Sequence, residues 1–245
     1  MQLKINNLEV GYKQKPVLSE INLQAQTGDF IALVGKNGAG KSTFLKTLSG
    51  ILPVLSGEVL LDNVDLFALQ AQERASYVSI VLTDHVDVPI TVWEFVSLGR
   101  QPYTNLWGNI SKRDKQIIDE VGEKLKITDF FDRKITELSD GERQKVLIGR
   151  ALVQETPVIL LDEPTTHLDM ENKAVLINNL LKISKEQNKI IIISTHDINL
   201  ILPKINKIWL TATSINEKLQ LSDLNELFQS ELIRYDTTCQ IFRLL

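Results

Sequence analysis

Apolar and polar positions along the chain change period several times, and each change marks an element. Leu3, Ile5, Leu8 and Val10 alternate with polar neighbours, the period of a half-buried strand. "VLSEINLQA" (17–25) repeats that pattern, and "GEVLLDNVDL" (57–66) predicts a short hairpin turning near Asp62-Asn63. Four stretches are apolar without alternation: "FIALVG" (30–35), "PVILLD" (157–162), "KIIIIS" (189–194) and "KIWL" (207–210). Runs of that length suit strands buried on both faces, and the helical patterns between them argue for a parallel sheet with crossovers.

The stretch from about Asp84 to Gln154 has a helical period. "TVWEFVSLG" (91–99) predicts a helix closed by Gly99. "SKRDKQIIDEVGEKLKI" (111–127) predicts a second, capped by Ser111 with Asp114 completing a capping box and Gly122 as a weak point. A third follows "ELSDGERQ" (137–144). Further helices are expected from Lys41, from about Met170 and from Asp197. Beyond Thr211 the pattern gives short strands and a small helix, "SDLNELF", capped by Ser222. The expectation is an α/β fold with an N-terminal antiparallel β region and an inserted helical region. It is divided into residues 1–83 and 155–211, 84–154, and a C-terminal extension 212–245.

Bulk properties narrow the picture only slightly. The 245 residues are 43% hydrophobic and 24% charged, ordinary for a soluble globular chain. A net charge of −4 carries no basic surplus, so no nucleic-acid partner is expected. The single cysteine, Cys239, excludes an internal disulfide framework and suits a reducing compartment. "MQLKINNLEV" has no signal-peptide core, and no apolar run approaches the ~20 residues that span a bilayer. A membrane role would therefore act through a partner. The sequence has no internal repeat and no low-complexity segment.

"GKNGAGKST" (Gly35 to Thr43) fits G-x-x-x-x-G-K-[ST], between a predicted strand and a predicted helix. Gly35, Lys36, Asn37, Gly38, Ala39 and Gly40 would curl backbone N–H groups around phosphate oxygens. Lys41 would bridge the β- and γ-phosphates and Ser42 would ligate Mg²⁺, with Thr43 completing the loop. The following helix would point its positive end at the phosphates. "VILLDEP" (158–164) ends an apolar strand in two acids, where open α/β sheets bind ligands. Asp162 would hold Mg²⁺ through water, and Glu163 would polarise the attacking water. His196 ends the neighbouring strand; as a lone histidine it reads equally as a structural residue or as one that reaches a γ-phosphate.

Phosphate loop, helical region, "LSDGERQ", acidic strand, "HLD" (167–169) and His196 occur in that order over nearly the whole chain. The set resembles the ATP-binding cassette family of ATPases, whose signature is usually Leu-Ser-Gly-Gly followed by Gln or Glu. The resemblance implies a P-loop NTPase core and a head-to-tail dimer, in which the signature of one copy covers the γ-phosphate held by the other. Ser139, the Gly141 amide and Glu142 would then complete the neighbour's ATP site. Tyr12 looks like the aromatic that stacks on adenine, against the alternative of an ordinary strand tyrosine.

The sequence departs from the family pattern at two positions. Where the family has a Mg²⁺-contacting glutamine, spacing from Arg74 places Thr83; either Thr83 serves through an extra water or Asp84 helps. Asp140 replaces the commoner glycine, and is expected to point away from the phosphate, capping the helix from Gly141.

A single cassette with no coiled-coil insertion and no fused membrane span is similar to importer subunits. "VSLGRQPYTNLWG" (96–108) resembles ATPase subunits of iron-siderophore, haem and cobalamin importers. The resemblance implies a subunit on the cytoplasmic face of the inner membrane, bound to a permease, with an extracytoplasmic substrate-binding protein. Trp93, Tyr103 and Trp107 are candidates for the permease contact, or else pack the helical core. An exporter subunit and a soluble non-transport cassette are the other readings.

Overall fold

A computed structural model describes residues 1–82, 88–104, 108–211, 215–218, 233–236 and 241–244. Thr83, Asp84, Trp107, Cys239 and the predicted helix capped by Ser222 lie outside them. The chain begins with two long strands, β1 (Gln2–Tyr12) and β2 (Lys15–Gln26). They meet through a two-residue turn, Lys13-Gln14, with φ of 47° and 65°. Sequence gives little warning of this turn, because positive φ at both positions favours Asn and Gly. The predicted hairpin forms as β4 (Ser56–Leu61) and β5 (Val64–Asp65), after β3 (Phe30–Gly35) and α1 (Lys41–Leu48). Asp62 and Asn63 make its turn with φ of 47° and 68°. These strands form an antiparallel sheet in the order β2-β1-β4-β5.

The short α2 (Ala71–Arg74) leads to β6 (Val78–Val81). The helical region follows as α3 (Val92–Ser97), a 3-10 segment (Leu98–Tyr103), α4 (Lys112–Leu125) and α5 (Asp140–Val153). The chain then alternates: β7 (Val158–Asp162), α6 (Met170–Glu186), β8 (Ile190–Ser194), α7 (Ile198–Ile201) and β9 (Lys207–Thr211). Three further strands are β10 (Ile215–Lys218), β11 (Ile233–Asp236) and β12 (Ile241–Leu244). The second sheet runs β10-β9-β3-β8-β7-β6, parallel except for β10, and β11 pairs with β12.

The unbroken apolar runs sort by period two onto the two faces of this sheet. Phe30, Ala32 and Val34, with Ile191 and Ile193, face a core shared with α3, α4, α5 and α6. Ile31 and Leu33, with Ile190 and Ile192, face a second core with α1 and the antiparallel sheet. The helical region is continuous with the first of these cores: Val92, Val96, Ile118, Val146 and Ile148 are fully buried in the same cluster.

Both predicted features of α4 appear, with one reinterpretation. Ser111 caps it, and the Asp114 carboxylate accepts from the Ser111 amide at 2.9 Å and hydroxyl at 2.6 Å. Burial alone would raise the Asp114 carboxyl, but those bonds and the Arg100 guanidinium hold it below the usual carboxylate range. Gly122 lies inside the helix where a Cβ would stand 2.5 Å from the Phe131 ring, so it is a packing glycine rather than a defect.

Gly99 corrects the sequence reading more sharply. It does not close α3: the chain continues into the 3-10 segment, and Gly99 is buried there. A Cβ on it would lie 2.2 Å from the Arg150 carbonyl oxygen and 2.5 Å from Val153. Its role is to let this segment touch the backbone of α5. Arg100 then locks the contact, binding Asp114 at 2.7 Å, the Val153 carbonyl at 2.6 Å and Glu155 at 2.9 Å, over the Tyr103 ring.

The obstruction at Gly99 is backbone, which cannot swing away as a side chain can. Gly99→Ala is therefore expected to lower stability by about 2–3 kcal/mol, the upper range of overpacking costs. Gly122→Ala, which meets only side-chain atoms, should cost less. Urea unfolding of both variants tests this; a Gly99→Ala protein as stable as wild type would refute the close-contact role.

Candidate functional site

The site grows from the C-terminal ends of three parallel strands. β3 delivers Gly35 to the loop 36–40, and α1 starts at Lys41. The loop needs glycine twice for conformation: Gly38 and Gly40 have φ of +78° and +90°. At Gly35 the reason is space, since a Cβ would fall 1.7 Å from the Thr211 hydroxyl. Ala39 donates its N–H to the Lys36 carbonyl at 3.2 Å, tightening the turn. Asn37, Gly38, Gly40, Lys41, Ser42, Thr43, Tyr12 and Glu163 line one open cleft of about 290 Å³.

Lys41 is the central cation. Its ammonium donates to the Gly35 carbonyl at 2.9 Å and the Lys36 carbonyl at 3.0 Å, so it stands at the mouth of the loop. Burial pushes it below the ordinary lysine range, and the Glu163 and Asp162 carboxylates oppose that shift. A partly desolvated ammonium beside open glycine amides suits a phosphate by its chemistry.

β7 and β8 supply the acids. Asp162 is 3% exposed and pairs in register with Ser194, whose hydroxyl donates to the Asp162 carboxylate at 2.6 Å. The same Ser194 oxygen accepts the Glu163 N–H at 2.9 Å. Glu163 sits at φ 46°, a left-handed conformation uncommon for glutamate and a strain that Ser194 helps to hold. Its carboxylate meets His196 Nε2 at 2.8 Å. His196 is thus brought to the acid, rather than buried in the core.

Hard oxygen donors from Ser42 and Asp162 suit Mg²⁺, which usually takes one or two carboxylates and shares the phosphates of its substrate. Among the described residues no cluster of three or more His, Cys, Asp or Glu forms a dedicated cage. Tyr12 ends β1 and is 49% exposed, its hydroxyl accepting from Thr43 at 3.2 Å. It is not an interior strand tyrosine. The ring borders the phosphate cleft.

The signature residues lie elsewhere. Ser139, Gly141 and Glu142 do not line the cleft. Ser139 caps α5 in a capping box, with its amide and hydroxyl donating to the Glu142 carboxylate at 2.8 Å and 2.7 Å. The Ser139 hydroxyl and amide, and less strongly Arg133, hold the Glu142 carboxyl below its ordinary range. Asp140 does not cap the helix. It is the first helical residue, exposed and paired with Arg143 at 2.9 Å, because Ser139 already fills the cap. The expectation that Asp140 caps from Gly141 is corrected accordingly. Trp93 is partly buried against the core, and Tyr103 is held by Arg100 and by a bond to the Gln154 carbonyl at 2.8 Å.

Sequence reasoning missed Ser194 and Asp197. Asp197 accepts from Thr165 at 2.6 Å and Lys173 at 3.0 Å, tying the loop after the acids to the strand end after β8. The available signal was positional: Ser194 directly follows an all-isoleucine run, and Asp197 follows three residues later in the polar stretch that ends it.

Among the described residues no helix is long and apolar enough to cross a membrane. The sequence profile described as ABC transporter matches residues 18–166. A manganese transport system ATP-binding protein of Listeria innocua is 36% identical over 234 residues, 95% of each chain. A solved ABC transporter in an inward-facing conformation, described as of metal-chelate type, superposes with a TM-score of 0.79 at 27% identity, covering 98% of this chain and 94% of that one. A dimeric bacterial ABC transporter cassette gives 0.78 at 27% identity, over 88% and 97%. With its phosphate loop, strand-end acids and two-sheet architecture, the chain belongs to the ABC transporter family, as an ATP-binding ATPase subunit.

Proposed function

We propose that the chain is the ATP-hydrolysing subunit of an importer. Two copies would pack head to tail around two ATP molecules at the cytoplasmic face of the inner membrane. They would drive a separate permease that takes up an iron chelate (siderophore or haem) or cobalamin from an extracytoplasmic binding protein. One observation carries the dimer: the cleft holds the phosphate loop, Tyr12 and Glu163 but none of Ser139, Gly141 or Glu142. A lone chain therefore has half of each site, and the solved dimeric cassette supports the pairing. The metal-chelate neighbour and the segment at Leu98–Tyr103 support the cargo. The manganese-transport relative, alike over 95% of both chains, favours a second cargo reading, a free divalent metal ion.

In this reading Lys41 and the amides of Gly35 to Gly40, with Ser42 and Thr43, hold the phosphates, and Tyr12 stacks on adenine. Ser42, Asp162 and Thr83 would hold Mg²⁺, which when bound neutralises charge on the phosphate oxygens. Glu163 accepts the proton of the attacking water, whose oxygen bonds to the γ-phosphorus as the bond to ADP breaks. His196 orients Glu163 through their 2.8 Å contact. The partner's Ser139 cap and Gly141 amide approach the γ-phosphate with the positive end of a helix.

Removing the base while keeping its shape separates dimer formation from hydrolysis. Glu163→Gln is expected to accumulate as an ATP-bound dimer in light scattering at saturating ATP and Mg²⁺. A variant that stays monomeric there would sink the shared-site reading. Asp140 is exposed and its pair with Arg143 is a surface one, worth about 1 kcal/mol at most, or roughly fivefold in rate. Asp140→Gly should thus leave the hydrolysis rate within about fivefold of wild type. A larger gain would make Asp140 a brake, and a larger loss would make it essential.

A further inference from the structure

A cavity of about 200 Å³ lies between the end of α4, one face of α5 and the start of α6. It shares no lining residue with the phosphate cleft. Leu125, Ile148, Leu168, Val175 and Leu176 make its apolar walls. Lys124, Lys126 and Lys145 also border it, against Glu171, so the lining is net positive. Lys124 and Lys126 are exposed and stand at the rim. Lys145 is half-buried and feels the Glu142 and Asp169 carboxylates. Among the described residues none of these three lysines forms an ion pair.

Gln144 lines the same cavity and is only 8% exposed. Its Nε2 is buried and meets no hydrogen-bond partner among the described residues. A buried donor left unpaired is destabilising until an acceptor reaches it. The cap of α5 makes no use of Gln144, because Ser139 and Glu142 complete it between themselves. Water in the cavity would satisfy the amide but leave five apolar side chains wet. A purely apolar molecule would cover those side chains and leave Nε2 unpaired. The occupant that meets both demands carries an anionic acceptor on an apolar body. It is also small, since drug-sized ligands fill pockets of roughly 300–1,000 Å³.

We infer that this cavity binds a small organic acid, whose carboxylate accepts from Gln144 Nε2 in the field of the three lysines and whose apolar body covers Ile148, Leu168 and Val175. A carboxylate is the better acceptor there, because charge-assisted bonds are the stronger ones. The site stands apart from the importer reading and from the nucleotide. It touches the start of α5 all the same: a Cβ on Gly141 would lie 3.3 Å from Leu168 Cδ2, so the occupant shares that wall with Gly141.

The test uses the full chain saturated with ADP, which keeps carboxylates out of the phosphate loop. Octanoate is the probe, titrated by ligand-observed NMR beside octan-1-ol, which lacks the charge, and acetate, which lacks the apolar body. Octanoate is expected to bind with a Kd of about 1 mM or tighter, and the other two roughly tenfold more weakly or worse. Gln144→Leu should weaken octanoate about tenfold, as for loss of a bond to a charged acceptor. Val175→Trp enlarges a side chain that is 49% exposed, so it needs no room in the core; it should fill the cavity and abolish binding. An ADP affinity equal to wild type shows that each variant is folded. Octanoate bound no more tightly than octan-1-ol overturns the inference. So does wild-type octanoate binding by Val175→Trp, which also decides the matter should Gln144→Leu not fold. None of these results bears on the importer reading, whose own test is Glu163→Gln.

Discussion

Parallel strands buried on both faces have nowhere to put a polar side chain except their ends. β3, β7 and β8 are buried at every position, so their polar residues gather where the strands run out. The register does the rest: Asp162 lies opposite Ser194, and Leu33 opposite the same serine from the other side. Ser194 is therefore placed by the sheet itself to donate to Asp162 and to accept from Glu163. The geometry of the acids follows from hydrophobic burial several residues earlier. The loop glycines and Lys41 follow in turn, because β3 sits beside β8 and leads directly into them.

The same logic bears on the proposed pairing of two copies. Helix α5 belongs to the other region of the molecule, anchored by Val146, Ile148 and Ala151 in the core beneath the sheet. Its N-terminal cap is satisfied internally by Glu142, so it needs no ligand to fold. The Gly141 amide lies outside the chain's own cleft, a position that suits the head-to-tail pairing proposed above. The Gly141 amide and the dipole are preorganised by a capping box whose stability is independent of nucleotide.

How much of this is legible in the sequence depends on the range of the cause. Phosphate loop, strand-end acids, the capping box at Ser111 and the Asp62-Asn63 turn are local, and their residues announce them. Strands buried on both faces announce themselves by unbroken isoleucine and leucine. The roles of Gly99 and Gly122 are not legible, because each is set by an atom far along the chain, the Arg150 carbonyl and the Phe131 ring. Helix-stop and helix-defect were the local explanations, and tertiary packing replaced both. The Lys13-Gln14 turn was hidden for a related reason: two long paired strands impose positive φ on residues that do not prefer it. Asp140 was misread because two adjacent residues competed for one cap, and Ser139 fits the extended backbone that a cap requires.

One element joins the two ends of the argument. α5 has its capped N-terminus at Ser139 and ends at Val153, with Arg150 in its last turn. Its 14 residues make a rod of about 21 Å at 1.5 Å per residue. Gly149 and Ala151 are small and buried, and the 3-10 segment presses on the Arg150 backbone through Gly99. Close-packed interiors transmit displacement instead of absorbing it. A load applied at the Arg150 end therefore cannot be taken up by loose side chains, and must move the helix as a body or break its packing. Movement of the body carries Ser139 and Gly141 with it. The Gly99 contact at Arg150 and the Ser139–Gly141 end proposed to face a neighbour's nucleotide are thus opposite ends of one helix. Coupling between them needs no chain of intermediaries beyond that rod.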